Sequence, residues 1–146
     1  MKAYGRIDVW INNVGVDVLG YFWDIPLDVH ARAVDVNLNG LIYGSHVAIN
    51  QFIERGGGTL VNVGSIDSKV PLALQNTYAA TKSAVLSLGK SLNEELRLSG
   101  HADTIKVATV MQWLSIPRGG LTPQTIAAMP REWLPWTILN LSSRKL

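Results

Sequence analysis

The 146-residue chain contains no cysteine, which excludes disulfides and thiolate metal sites and suits a reducing compartment. Its three histidines, His30, His46 and His101, stand at no metal-ligand spacing, so no metal is expected. No apolar run approaches the roughly twenty residues that a bilayer-spanning helix needs. The opening Met-Lys-Ala-Tyr-Gly-Arg-Ile-Asp puts no apolar stretch behind its charges, so it does not read as a targeting segment. These absences together predict a cytoplasmic protein without membrane contact. Strong charge of one sign is missing too. The formal net charge is +2, yet residues 1–111 carry nine Lys/Arg against ten Asp/Glu, and the positive balance sits in residues 112–146 with four against one. No basic cluster with interleaved aromatics occurs, so nucleic acid is not an expected partner. What is present is a chain with 47% apolar residues, enough for one core.

The sequence is organised around Gly57–Leu96. Leu60, Val61 and Val63, flanked by glycines, suit a strand buried on both faces. A loop from Ser65 to Gln75 follows, and from about Asn76 the chain turns helical, with Ala84, Leu88, Leu92 and Leu96 at spacings of four. Tyr78 and Lys82, four apart, leave the same face of that helix. Ser65, at the carboxyl end of the strand, can reach the same space.

Before this stretch, Ile7–Ile11 reads as a strand and Asn12-Asn13-Val14-Gly15 as a turn. Tyr21, Phe22 and Trp23 follow in an irregular segment. Asp24 and Pro26 are a capping acid and a first-turn proline, predicting a helix to about Glu54 with a stripe of Val34, Leu38, Leu41, Ser45, Ala48 and Phe52. Asn37-Leu-Asn-Gly40 interrupts that helix with poor formers, and Gly56-Gly57-Gly58 ends it. After Ser99-Gly100-His101, the residues Ile105, Val107, Ala108 and Val110 read as another buried strand. The fold class is therefore α/β: part of a doubly wound parallel sheet, Rossmann-like, with three recognisable strands and two long helices.

Ser65, Tyr78 thirteen residues later and Lys82 four after that form a pattern that resembles the active site of the short-chain dehydrogenase/reductase family. A lone Tyr-x-x-x-Lys arises by chance on many surface helices; the triplet, crossing from strand to helix, is far more specific. Asn12-Asn13-Val14-Gly15 is similar to the family's NNAG, and Asn37 to its fourth catalytic residue. The resemblance implies an oxidoreductase moving a hydride between NAD or NADP and a small-molecule alcohol or ketone. Tyr78 would be the general acid/base, Lys82 would stabilise its phenolate and bond the nicotinamide ribose, Ser65 would hold the substrate oxygen, and Asn37 would keep a water against Lys82. Asn13, Val14 and Gly15 would pack beside the cofactor, with Val14 a bulkier residue than the usual alanine. The resemblance also implies a homo-oligomer through the two long helices, which are dimer surfaces in the family.

The resemblance covers residues 1–111 as the second half of the family's Rossmann domain. The family's glycine-rich TGxxxGxG turn, which receives the pyrophosphate, has no counterpart in these 146 residues. Two alternatives follow: a catalytically incompetent fragment lacking the phosphate-binding half, or an interaction module using its long helices. Residues 112–146 read as an irregular tail carrying four of the six prolines. Its pairs Trp113-Leu114, Trp133-Leu134 and Trp136-Thr137 suggest translation out of frame after about Val110, since back-translating Thr122 to Asn140 one base earlier permits a family-like segment.

Overall fold

The structure is a computed structural model that describes residues 5–112. Three parallel strands, β1 (Val9–Asn12), β2 (Gly58–Ser65) and β3 (Ile105–Gln112), lie in the order β1-β2-β3. The register sets Ile11 beside Val61, Leu60 beside Val107 and Ser65 beside Gln112. Parallel neighbours require long crossovers, and helices supply both. Between β1 and β2 run α1 (Leu27–Val34), a π-helical turn (Asp35–Asn39) and α2 (Gly40–Arg55). Between β2 and β3 come a 3₁₀ turn (Ile66–Ser68) and α3 (Asn76–Leu98). The expected sheet and both long helices are thus present. β3 extends two residues past Val110, and Met111 and Gln112 pair with Gly64 and Ser65. The remainder of the anticipated tail and its proposed frame lie outside the described residues.

The core joins Ala48 and Phe52 of α2, Leu60 of β2, Leu96 of α3, and Ile105 and Val107 of β3. Full burial of side chains such as Phe52 and Leu60 contributes roughly 1.5–3 kcal/mol each. A polar seam runs through the same layer. Trp10 Nε1 donates to Asn12 Oδ1 at 2.8 Å, and Asn12 Nδ2 donates to Ser45 Oγ and to Asn62 Oδ1, both at 2.9 Å. The first asparagine of the turn therefore ties α2 to the sheet rather than facing outward.

Several local expectations are corrected. The run from Leu27 to Arg55 is helical throughout, but Pro26 stands at its N-cap and Asp24 makes no side-chain cap. The buried line is His30, Ala33, Asn37, Leu41, Ser45, Ala48 and Phe52, whereas Val34 lies outside it. The π turn inserts an extra residue and rotates the phase of everything before it. On α3 the buried line is Val85, Gly89 and Leu96, while Ala84 and Leu88 are only half-buried. Gly89 is there for a close approach: a Cβ would stand 2.4 Å from Thr109 Oγ1. Gly56, with φ +82°, closes α2 in the left-handed conformation expected of that glycine run.

Val61 and Val63 of β2 are half-buried, not enclosed on both faces. On that side of the sheet Val9, Ile11 and Val110 are 53, 60 and 53% exposed. Among the described residues the helices cover one face only.

Candidate functional site

The anticipated residues converge at the carboxyl end of β2, where strand side chains and helix starts meet. Ser65 is the last residue of β2 and is buried; its oxygen accepts from Asp67 N at 3.3 Å, opening the 3₁₀ turn. Its hydroxyl donates to Asp67 Oδ2 at 3.1 Å. Tyr78 and Lys82 sit in the first two turns of α3 on one face, and Lys82 Nζ lies 5.6 Å from the centre of the Tyr78 ring. Lys82 is 5% exposed and donates to the Val63 carbonyl at 2.9 Å, which holds it against the strand end.

The start of α3 is fixed from outside the helix. His30 of α1 meets Thr77 Oγ1 through Nδ1 at 2.6 Å and Phe22 O through Nε2 at 3.2 Å. Ser68 Oγ donates to the Lys82 carbonyl at 2.8 Å. Tyr78 and Lys82 therefore stand on a helix end anchored to α1 and to the turn after β2.

Asn37 is fully buried in the π turn, where the helix ladder is interrupted. Its Oδ1 accepts from Val16 N at 2.7 Å, and its Nδ2 donates to Val16 O at 2.8 Å and to Thr81 Oγ1 at 3.1 Å. The side chain is thus a clamp between the loop after β1 and α3. All of its hydrogens and one lone pair are committed to the protein. The clamp brings the Asn13–Gly15 turn against the site: a Cβ on Gly15 would stand 3.2 Å from Lys82 Nζ and 3.6 Å from Asn37 Oδ1. Asn13, Val14 and Gly15 are themselves exposed.

The electrostatics depart from expectation. Burial pushes the Tyr78 phenol above its ordinary 10.0, and the neighbouring Ser65 hydroxyl offsets this only in part. The charges of Asp17 and Asp67 push it further up. Burial also holds Lys82 below its usual 10.5. The phenol therefore keeps its proton more firmly than free tyrosine does, the reverse of the lowering expected from Lys82.

Sequence reasoning passed over four residues here. Thr81 accepts from Asn37 and donates to the Tyr78 carbonyl at 2.8 Å. Asp67 bonds Ser65, and Gln75 Nε2 donates to Asp17 Oδ2 at 2.9 Å. Asp67 was within reach, because Ser-x-Asp is a turn signal. The contact between Gln75 and Asp17 spans 58 positions, and no local pattern announces it. A separate open groove of about 370 Å³ lies along β1 and the start of α2, lined by Trp10, Val14, Val36 and Gly44 among others. Ser65, Tyr78 and Lys82 take no part in it.

Residues 1–112 match the family model described as short chain dehydrogenase. The chain belongs to that family. It is 36% identical over 144 residues to 3-alpha-(or 20-beta)-hydroxysteroid dehydrogenase of Mycobacterium bovis, covering 97% of this chain and 54% of that protein. It is 33% identical over 99 residues to 2-dehydro-3-deoxy-L-rhamnonate dehydrogenase (NAD(+)) of Sphingomonas sp., covering 67% and 40%. Among solved structures, gluconate 5-dehydrogenase from Burkholderia cenocepacia, in complex with NADP and tartrate, superposes with a TM-score of 0.70 at 25% identity, over 76% of this chain and 42% of that one. Acetoin dehydrogenase from Enterobacter cloacae gives 0.68 at 32% identity, over 75% and 44%. The chain spans about half or less of the length of these relatives.

Proposed function

We infer that the chain carries the catalytic half of an NAD(P)-dependent alcohol/ketone oxidoreductase, with residues 1–111 as the second half of its Rossmann domain. The observation that carries this reading is the convergence of Ser65, Tyr78 and Lys82 at the end of β2, with Asn37 locking the turn beside them. Tyr78 is the group that exchanges a proton with the substrate oxygen, and Ser65 holds that oxygen in place. The nicotinamide, when bound, supplies or accepts the hydride. Lys82 fits its ribose: one Nζ–H goes to Val63 O, leaving two donors beside the exposed Asn13–Gly15 turn for a vicinal diol. Asn37 acts as a positioning residue, through Val16 and Thr81. The relatives' names divide between sugar-type and steroid substrates, so kinship alone leaves the substrate open. The exposed Ile42, Tyr43 and Val47 on α2 support a homo-oligomer built through the long helices.

The alternative reading is a chain without turnover of its own or an interaction module. One assay separates the two. The chain is given secondary alcohols and millimolar NAD⁺ or NADP⁺, and reduced nicotinamide is followed by absorbance. Catalysis that Tyr78→Phe removes supports the first reading; no hydride transfer, or transfer that Tyr78→Phe leaves intact, overturns it.

A further inference from the structure

The helical run from Leu27 to Arg55 grips the start of α3 at two points, and only one of them, Asn37, has a part in the proposed function. Asn37 Nδ2 reaches Thr81 Oγ1 at 3.1 Å. Two turns earlier, on the same buried line, His30 Nδ1 meets Thr77 Oγ1 at 2.6 Å. Thr77 and Thr81 lie four apart on one face of α3, and each immediately precedes a residue of the site, Tyr78 or Lys82. Two such rungs fix how far α3 is rotated about its own axis, and so where the phenol stands.

Of the three histidines only His30 is buried. Phe22 O can only accept, so Nε2, 3.2 Å away, carries a hydrogen. In the neutral ring Nδ1 is then bare and takes the Thr77 hydroxyl hydrogen, whose other acceptor, Asn76 Oδ1, lies further off at 3.2 Å. In the imidazolium Nδ1–H donates to Thr77 Oγ1, and the hydroxyl turns its hydrogen to Asn76 Oδ1. Both ring nitrogens and the hydroxyl keep a partner in either state, so the bridge holds whichever charge the ring carries.

The far side of the same ring holds the turn before α1. Asp24 N donates to Tyr21 O at 3.0 Å, closing that turn, and the Phe22 ring lies against the imidazole with centroids 4.8 Å apart. Tyr21 and Trp23 stack at 5.2 Å yet remain 58 and 78% exposed. A pair so open gains little from burial, and the turn depends on its hydrogen bonds. Among the described residues His30 makes the one side-chain bond to its backbone.

We propose that His30 is a positioning residue that joins the aromatic turn to Tyr78. Through Thr77 it sets the first turn of α3, through Phe22 O it sets Tyr21–Trp23, and the turn and the phenol move as one unit. This role rests on the reading of Tyr78 as the proton-exchanging group, but the coupling itself stands or falls separately.

Three substitutions separate the two bonds. His30→Asn puts an amide where Nδ1 stands and keeps Thr77; His30→Gln reaches the Nε2 position and keeps Phe22 O; His30→Phe fills the space with neither. The full chain is labelled with ¹³C at tyrosine Cζ, and Tyr78, assigned by its loss in Tyr78→Phe, is titrated by NMR. Burial holds Tyr78 above 10.0, so its ionisation should fall toward that value in His30→Phe and His30→Gln and stay in place in His30→Asn. The Ala79 amide, bonded to Gln75 O, should exchange about tenfold faster in the first two, as one lost hydrogen bond allows local opening. The Phe22 N–H should divide the variants differently, its order parameter dropping below the ~0.85 of rigid backbone in His30→Phe and His30→Asn and holding in His30→Gln. Thr77→Val should reproduce His30→Gln at Tyr78 and add nothing to it in the double variant. In turnover, His30→Gln should lower kcat with little change in KM, and His30→Asn should restore it. A Tyr78 ionisation unmoved by His30→Gln overturns the proposal. One moved as far by His30→Asn as by His30→Gln does so too, and marks His30 as ordinary packing. If His30→Phe does not fold, the contrast between the glutamine and asparagine variants decides. The expected NMR pattern in a chain with no hydride transfer sinks the catalytic reading and leaves the coupling standing.

Discussion

Replacing Asn37 by leucine, which keeps the branching but is bulkier and can neither donate nor accept, tests whether the site is held by that clamp. The backbone N–H and C=O of Val16 each lose their partner, and each unpaired buried group costs about 1–3 kcal/mol. Thr81 loses an incoming donor but still donates to the Tyr78 carbonyl, so it adds little. Val16 is only half-buried, and water recovers part of the cost. The expected loss is about 2–4 kcal/mol. With a urea m-value of about 1–2 kcal/mol/M for a small domain, the unfolding midpoint should fall by about 1–4 M. Far-ultraviolet circular dichroism across a urea series measures it. Thr81→Val should cost clearly less than Asn37→Leu, and the double variant less than the sum, because the two share one bond. A midpoint for Asn37→Leu unchanged within about 0.3 M would refute the clamp.

Four further outcomes are expected. Asp17 is raised above its ordinary 3.8 by burial, so the folded state binds its proton more tightly; that contribution to stability is complete below pH 3.8 and lost as pH rises through the folded value. Asp17→Asn should therefore gain stability relative to the native chain as pH is raised from about 4 to 7, which urea midpoints at both pH values check. The chain by itself should bind NAD(H) or NADP(H) more weakly than micromolar, because no backbone-amide turn in its sequence receives the pyrophosphate; calorimetric titration with micromolar affinity would contradict this. The open face of Val9, Ile11 and Val110 should drive self-association. Sedimentation should show mass rising with concentration, and substituting Ile11 by lysine should reduce it. For residues 112–146, the nucleotide sequence one base earlier should spell a family-like segment, and a stop codon there would end the frame proposal.

What the sequence disclosed follows from how local each interaction is. The strands and α3 were legible because β-branched runs and four-residue spacings are short-range signals. Tyr78 and Lys82 meet because i and i+4 share a helix face, and Ser65 joins them from the neighbouring strand end. The phase of α1 was misread because one π turn around Asn37 shifts every residue before it, and only the sites of poor helix formers hinted at that. The buried line of α3 passes through Gly89, where the signal is the absence of a side chain, so a search for leucines at spacings of four settled on the half-buried residues. The double-sided burial expected of β2 presumed cover that the described residues do not supply. Asp17 and Gln75 were invisible because their partnership is a loop-to-loop contact without period.

The two ionisable groups of the proposed catalytic pair are both displaced toward neutrality, Tyr78 upward and Lys82 downward, chiefly by burial. In the resting site this opposes the usual account in which a lysine keeps a tyrosine poised to ionise. Both displacements share a cause that reverses as soon as a proton moves. A phenolate forming beside Lys82 gains a buried counter-charge, and the ammonium gains a partner in turn, in surroundings where opposite charges attract far more strongly than in water. The attraction is absent while Tyr78 is neutral and grows as its proton leaves, so in the proposed role of Tyr78 it would favour the transition state over the ground state. Asp17 and Asp67 work against the same phenolate.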